Sequence, residues 1–193
     1  MARIGPNAVI RVAEALDAVE GRPEAERLFE AAGLRRYLAE PPREMVEEGE
    51  VRKLHAVLHH RLGDARARSV AWIAGRRTAD YLLAHRIPRP VQRVLELLPR
   101  PPAARLLSHA IGRNAWTFVG SGRLAIEPGN PTLFRIAHCP LCRDCAADAP
   151  ACDYYFATFE RLFSVLVHPD ATARETACSA TGDAECRITV RWP

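Results

Sequence analysis

Near Gly112 the spacing of apolar residues changes, and that change decides what the chain can fold into. Before it, they recur every three or four residues, as on the buried face of an amphipathic helix. Val9, Val12, Leu16 and Val19 form the first stripe, with Asn7 as its expected cap and Gly21 as its stop. Ala25, Leu28 and Phe29 form a second that stops at Gly33, and Leu34 to Leu38 leads to a break at Pro41-Pro42. Val51, Leu54, Leu58 and Leu62 mark a long helix; Val70, Ile73, Ala74, Tyr81 and Leu82 mark the next, ending near Pro88. Val91, Val94, Leu95 and Leu98 give a short helix before Pro99-Arg100-Pro101-Pro102, and Ala103 to Ile111 gives the last.

Beyond Gly112 the pattern is that of strands. Ala115 to Ile126 and Thr132 to His138 are expected to pair about the turn Glu127-Pro128-Gly129-Asn130-Pro131. Phe156, Phe159, Phe163, Leu166 and Val167 give one amphipathic helix. Cys186, Ile188, Val190 and Trp192 then alternate with Arg187, Thr189 and Arg191, as in a half-buried strand, with Thr181-Gly182-Asp183 as the hairpin turn. The fold class is therefore α+β. Residues 1–112 form a helical region, and residues 113–193 form two β-hairpins around one long helix. Helices cover one side of the antiparallel sheet, and the whole is one continuous globular unit. With 193 residues, 48% of them apolar, such a unit builds a core without staples.

All six cysteines fall at or after Cys139. Cys178 and Cys186 straddle the final hairpin turn, Glu175 precedes Cys178 by three residues, and Cys152 opens the long helix. Three thiolates and a carboxylate make a closed tetrahedral zinc site that pins this helix to the sheet. The competing reading makes Cys178 and Cys186 ordinary half-buried strand residues. Cys139, Cys142 and Cys145 form a C-x2-C-x2-C run, a possible second thiol cluster. With Cys152 as fourth ligand it suits an iron–sulfur or zinc centre, although its spacing departs from the ferredoxin form. The alternative is a solvent-facing loop.

No apolar h-region opens the chain and no apolar run approaches membrane-spanning length, so a cytoplasmic protein with reduced thiols is expected. Gly120-Ser121-Gly122 lacks the rest of a dinucleotide fingerprint and reads as a turn or bulge in a β-ribbon. The net charge of +4 is mild and suggests no basic stripe, so nucleic acid is not an expected partner. His55, His59 and His60 share one helix, and their polar neighbours suggest an exposed surface.

Several segments resemble the bacteriochlorophyll 4-vinyl reductase (BchJ-type) family. They are Arg3 to Ala8, Ala32 to Leu38, Pro41 to Val46, Ala74 to Ala84, Arg86-Ile87-Pro88 and Ala115 to Gly122. From about Ala115 onward the chain is similar to the wider 4-vinyl reductase domain superfamily, which includes phenol-sensor domains and is similar in fold to TRAPP subunits. The superfamily's ending matches Glu175-x-x-Cys178-x7-Cys186, with Cys152 as the earlier cysteine; in the phenol sensors these positions hold structural zinc. The resemblance thus favours Cys152, Glu175, Cys178 and Cys186 as the zinc set, and gives Cys139, Cys142 and Cys145 no counterpart.

The resemblance implies a place in bacteriochlorophyll biosynthesis and photosynthesis. The family is named for reducing the 8-vinyl group of a divinyl (proto)chlorophyllide, which needs two electrons and two protons. No motif for a hydride donor accompanies it, and a closed zinc site is redox-inert. The expected role is therefore binding and delivery of a Mg-tetrapyrrole, such as divinyl protochlorophyllide, to other enzymes of the pathway. The alternatives are a genuine 8-vinyl reductase and, less favoured, a small-molecule sensor domain. Magnesium wants an axial donor and propionates want arginine, so His109, Trp116, Arg76 and Arg77 are the candidate ligand-binding residues, against solvated or core roles for each. By analogy with the superfamily a homodimer is expected, cytoplasmic or peripheral to the photosynthetic membrane.

Overall fold

The computed structural model describes residues 2–143 and 145–193. The stripes read from the sequence become α1 (Asn7–Val19), α2 (Arg22–Ala31), α3 (Arg36–Ala39), α4 (Glu48–Leu62), α5 (Asp64–His85), α6 (Arg89–Leu97) and α7 (Arg100–Arg113). Asn7 is not the cap of α1. Pro6 holds that position, and Asn7, already helical, accepts a bond from Arg11 Nε at 3.3 Å. Arg3–Ile4 (β1) and Val46–Glu47 (β2) pair antiparallel and fasten the start of the chain beside α4. No described helix is long and apolar enough to cross a membrane.

The second part contains β3 (Arg123–Glu127), β4 (Thr132–Ala137), α8 (Asp153–Leu166), β5 (Thr172–Ala177) and β6 (Glu185–Arg191). The strands form one antiparallel sheet in the order β3-β4-β6-β5, so each hairpin contributes a strand to a central pair. That pair sets Phe134 opposite Ile188 and Ile136 opposite Cys186. These four side chains are fully buried beneath α8, while Arg135 and Glu185 pair at 2.8 Å on the other face. Polar residues on that face and apolar residues beneath the helix are what a sheet covered on one side requires.

The expected strand from Ala115 does not form before Arg123. Residues 115–117 make a single 3-10 turn, and the chain then wraps around the carboxylate of Glu48. Ser121 donates to it through both its backbone N–H (2.6 Å) and its hydroxyl (2.9 Å), and Arg143 pairs with it. Gly120 has φ +53°, and a Cβ there would collide with the same carboxylate. Gly120-Ser121-Gly122 is thus a cradle for a buried anion, not a bulge in a ribbon.

α8 is apolar nearly all round because it is sandwiched between the sheet and α5. Phe159 stacks on Phe134 with ring centroids 4.3 Å apart, and Phe163 stacks on Trp192 at 5.8 Å. Its other side meets Ala67, Ala71, Ala74, Gly75 and Ala79, small residues that let the α5 backbone approach closely. Thr158 donates to the Gly75 carbonyl at 3.0 Å, and Thr78 bonds the Tyr154 hydroxyl at 2.8 Å.

The histidine patch is not uniformly exposed. His60 is exposed and His59 bonds Asp64 at 2.9 Å, but His55 is only 2% exposed, edge-on to Tyr154. Its place in the 51-54-55-58 stripe turns it inward. Burial, with a smaller push from His59, lowers its pKa from 6.5 to about 3. The unfolded chain therefore takes up a proton below about pH 6.5 that the folded protein refuses until about pH 3, so stability falls with acidification across that window. Between pH 7.5 and 5 the expected loss from this group is about 2 kcal/mol. Urea unfolding across that range should show it, and His55→Leu should remove that component of the slope.

Candidate metal centre

The ends of three strands meet at one edge of the sheet, and each delivers thiols there. β4 ends at Ala137, opposite Glu185, so the chain leaving it carries Cys139 and Cys142 alongside Cys186 at the start of β6. β5 ends at Ala177 and delivers Cys178 from the other side. The start of α8 comes down on this edge and places Cys152 over it. In a regular strand Glu175 and Cys178, three residues apart, would face opposite ways. A bulge between Glu175 and Ala177 brings both inward.

Five sulfurs converge as a result. Cys152 Sγ lies 3.5 Å from Cys139, 3.4 Å from Cys142 and 3.4 Å from Cys186. Cys142 lies 3.2 Å from Cys186 and 3.7 Å from Cys178, and Cys178 lies 4.0 Å from Cys186. All are far longer than a disulfide bond of about 2.05 Å. They bracket the roughly 3.8 Å edge of a tetrahedron with metal–sulfur bonds of about 2.3 Å. Each of the five cysteines is at most 1% exposed. Within this group, Cys152, Glu175, Cys178 and Cys186 present ligand atoms within 4.8 Å of one another, as do Cys139, Cys142, Cys152 and Cys186.

The electrostatics are those of a cation site. The backbone N–H groups of Ala151 and Ser179 point at the sulfurs of Cys178 and Cys186, each at 3.4 Å, which stabilises thiolates. Hydrogen bonding from Cys142 draws the Cys178 thiol down, and bonding from Cys139 draws down Cys186. Glu175 Oε2 accepts the Cys152 N–H at 3.0 Å, while its Oε1 is buried without a partner. Burial, reinforced by the charge of Cys178, pushes this carboxyl up to about 9. An orphaned carboxylate oxygen among thiolates is relieved by a bound cation, so the donor set fits a thiophilic divalent ion. Asp153, beside the cluster, is held by Arg68 at 3.0 Å.

The sequence candidates distribute unevenly. Cys139 and Cys142 do not form a centre apart from the other three but adjoin them. Cys145, half-buried, points its sulfur at the Leu141 carbonyl at 3.7 Å. Spacing along the chain could not show this, because the β4–β6 pairing that closes the site is non-local. His109 and Trp116 are exposed, Trp116 at 63%, at the end of α7 and in the 3-10 turn. Arg76 stacks over Trp72 and Arg77 pairs with Glu14 at 3.7 Å, both on α5, with no hydrogen bond or ring contact to His109 or Trp116 among the described residues. The net charge is also less even than expected. Residues 86–105 carry five arginines against one glutamate, which equals the whole chain's +4.

Residues 132–191, the strands and helix that carry the thiols, match the 4-vinyl reductase domain. In overall fold the chain is similar to a mutant H-NOX protein from K. algicida in its Fe(II) unliganded state. That likeness has a TM-score of 0.63 at 9% identity, over 97% of this chain and 96% of that one. The phenol-responsive sensory domain of the activator PoxR is also similar, with a TM-score of 0.44 at 19% identity over 75% of this chain and 74% of that one. In sequence, the chain is 41% identical to the bacteriochlorophyll synthase 23 kDa chain of Rhodobacter capsulatus, over 95% of its own length and 84% of the relative's. The protein belongs to the family of the bacteriochlorophyll synthase 23 kDa chain.

Proposed function

We propose that the protein serves bacteriochlorophyll biosynthesis by binding a Mg-tetrapyrrole intermediate, such as divinyl protochlorophyllide, and delivering it to enzymes of the pathway. The observation that carries this reading is the 41% identity with the bacteriochlorophyll synthase 23 kDa chain over nearly the whole chain. Cys152, Glu175, Cys178 and Cys186 would hold a structural zinc. A site whose cysteines are this deeply buried leaves no open position for substrate, so its metal braces the fold.

On α7, Leu106, His109 and Arg113 recur at helical spacing on one exposed face, and Trp116 follows just beyond. An imidazole for magnesium, an indole for the macrocycle and a guanidinium for a propionate are the groups such a ligand needs. Arg76 and Arg77 are engaged elsewhere. Titrating the protein into divinyl protochlorophyllide is expected to shift the pigment's absorption at micromolar protein. His109→Ala and Trp116→Ala should each weaken binding about tenfold, the worth of one good contact. Absence of a spectral shift would sink the delivery role.

A second reading, genuine 8-vinyl reduction, draws on the thiol run. An iron–sulfur cluster gives each cysteine its own iron, which spreads the sulfurs wider than one ion does. The 3.2–4.0 Å spacings suit individual ions instead. A brown, iron-loaded protein with labile sulfide would favour the reductase.

A further inference from the structure

One ion ligated by Cys152, Glu175, Cys178 and Cys186 leaves two thiols unused, and both are inside the site. Cys139 and Cys142 are 0% and 1% exposed, and their sulfurs touch the very atoms that would ligate the zinc. Ordinary buried cysteines pack among apolar side chains. These two instead face Cys152 and Cys186, and with them complete a second four-sulfur set. The two sets share one edge, the Cys152–Cys186 pair at 3.4 Å. Sharing an edge is how two tetrahedral ions sit side by side, each shared thiolate bridging both.

We propose that the protein holds a second thiophilic divalent ion, zinc by its chemistry, ligated by Cys139, Cys142, Cys152 and Cys186. It forms a thiolate-bridged pair with the first. The inference rests on the zinc reading given above, which supplies the neighbouring ion. Charge supports it: fully ionised, five thiolates and one carboxylate bring six negative charges into a buried volume. One divalent ion offsets two of these; two ions offset four. Arg143, adjacent to Cys142, is already committed to Glu48 and Ser121. Binding the second ion displaces a thiol proton from each cysteine that is not already ionised, and no oxidant or reductant is involved. Soft sulfur donors favour zinc over magnesium or calcium at this position.

The test is metal stoichiometry on the full chain, loaded with excess zinc under reducing conditions and then desalted. Two ions per chain are expected for the wild type. The double variant C139S/C142S should retain one, with an unchanged far-ultraviolet circular dichroism spectrum. Cadmium-113 NMR of the wild type should give two resonances in the thiolate region that couple through the shared sulfurs, and the double variant should give one. A wild-type protein holding a single ion, lost in C178S but unaffected by C139S/C142S, would overturn the second site and leave the first standing. A protein with no ion after loading would overturn both. Two resonances that show no coupling would overturn the bridged arrangement.

Discussion

Cys152→Ser and Cys186→Ser are expected to empty the metal centre and cost the protein about 4 kcal/mol or more. For a chain of this size that corresponds to a melting temperature lower by roughly 10 °C or more. Each is common to the two four-ligand sets, so neither set survives its loss. The position of Cys152 amplifies the effect, because it stands at the entrance of α8, the helix between the sheet and α5. Without the ion, an edge made of three strand ends and a helix start has only thiol hydrogen bonds to hold it. Cys145→Ser provides the contrast: its sulfur meets a carbonyl oxygen outside the cluster, and metal content and stability should both stay at the wild-type level. Metal analysis and thermal melting of the three variants decide the matter. A Cys152→Ser protein with full metal content and unchanged melting would remove the ion from any structural role.

A second large effect is expected far from any ligand. Gly75 lies where α5 and α8 come closest, and a Cβ there would run into the Tyr154 carbonyl oxygen and crowd the Ala157 side chain. The obstruction is backbone, which cannot rotate away, so the two helices would have to separate. Gly75→Ala should therefore destabilise by about 3 kcal/mol, the upper range for overpacking. Gly49→Ala is the control. It lies in α4 with nothing within 4 Å of the added methyl group, so higher helix propensity should make it neutral or slightly stabilising. Urea denaturation curves of the two variants, compared with the wild type, measure the difference. Equal stability of Gly75→Ala and wild type would mean that the α5–α8 seam is looser than the structure shows.

What the sequence discloses follows from the range of the forces involved. Helical stripes such as Val51, Leu54, Leu58 and Leu62 are local, and each became a helix within a residue or two of its expected ends. The alternation from Cys186 to Trp192 likewise survived as β6, since one buried face fixes it. The stretch from Ala115 to Gly122 misled because its apolar residues suit a strand. What shapes it instead is a carboxylate more than seventy positions earlier, Glu48, which needs donors once buried. His55 misled for the opposite reason: its polar neighbours suggested solvent, yet the helical period turns it inward.

The centre was legible in part. Cys152, Glu175, Cys178 and Cys186 can be grouped by spacing and resemblance. Bringing Cys139 and Cys142 to the same edge depends on β4 lying beside β6, which no local pattern encodes. The bulge that turns Glu175 and Cys178 to one side is equally invisible, because Thr176 is an ordinary strand residue.

The cluster also has a built-in optical reporter. Cys152 is followed within three residues by Tyr154 and Tyr155, and Tyr155 lies parallel to Phe159, which stacks on Phe134. The Tyr155 hydroxyl is tethered to the Phe118 carbonyl at 2.7 Å, so its ring is held from both ends. Chelation that slackens the start of α8 would let these rings reorient relative to one another. Near-ultraviolet circular dichroism should register the change before the helix itself unwinds, so occupancy of the centre can be followed in solution without a label.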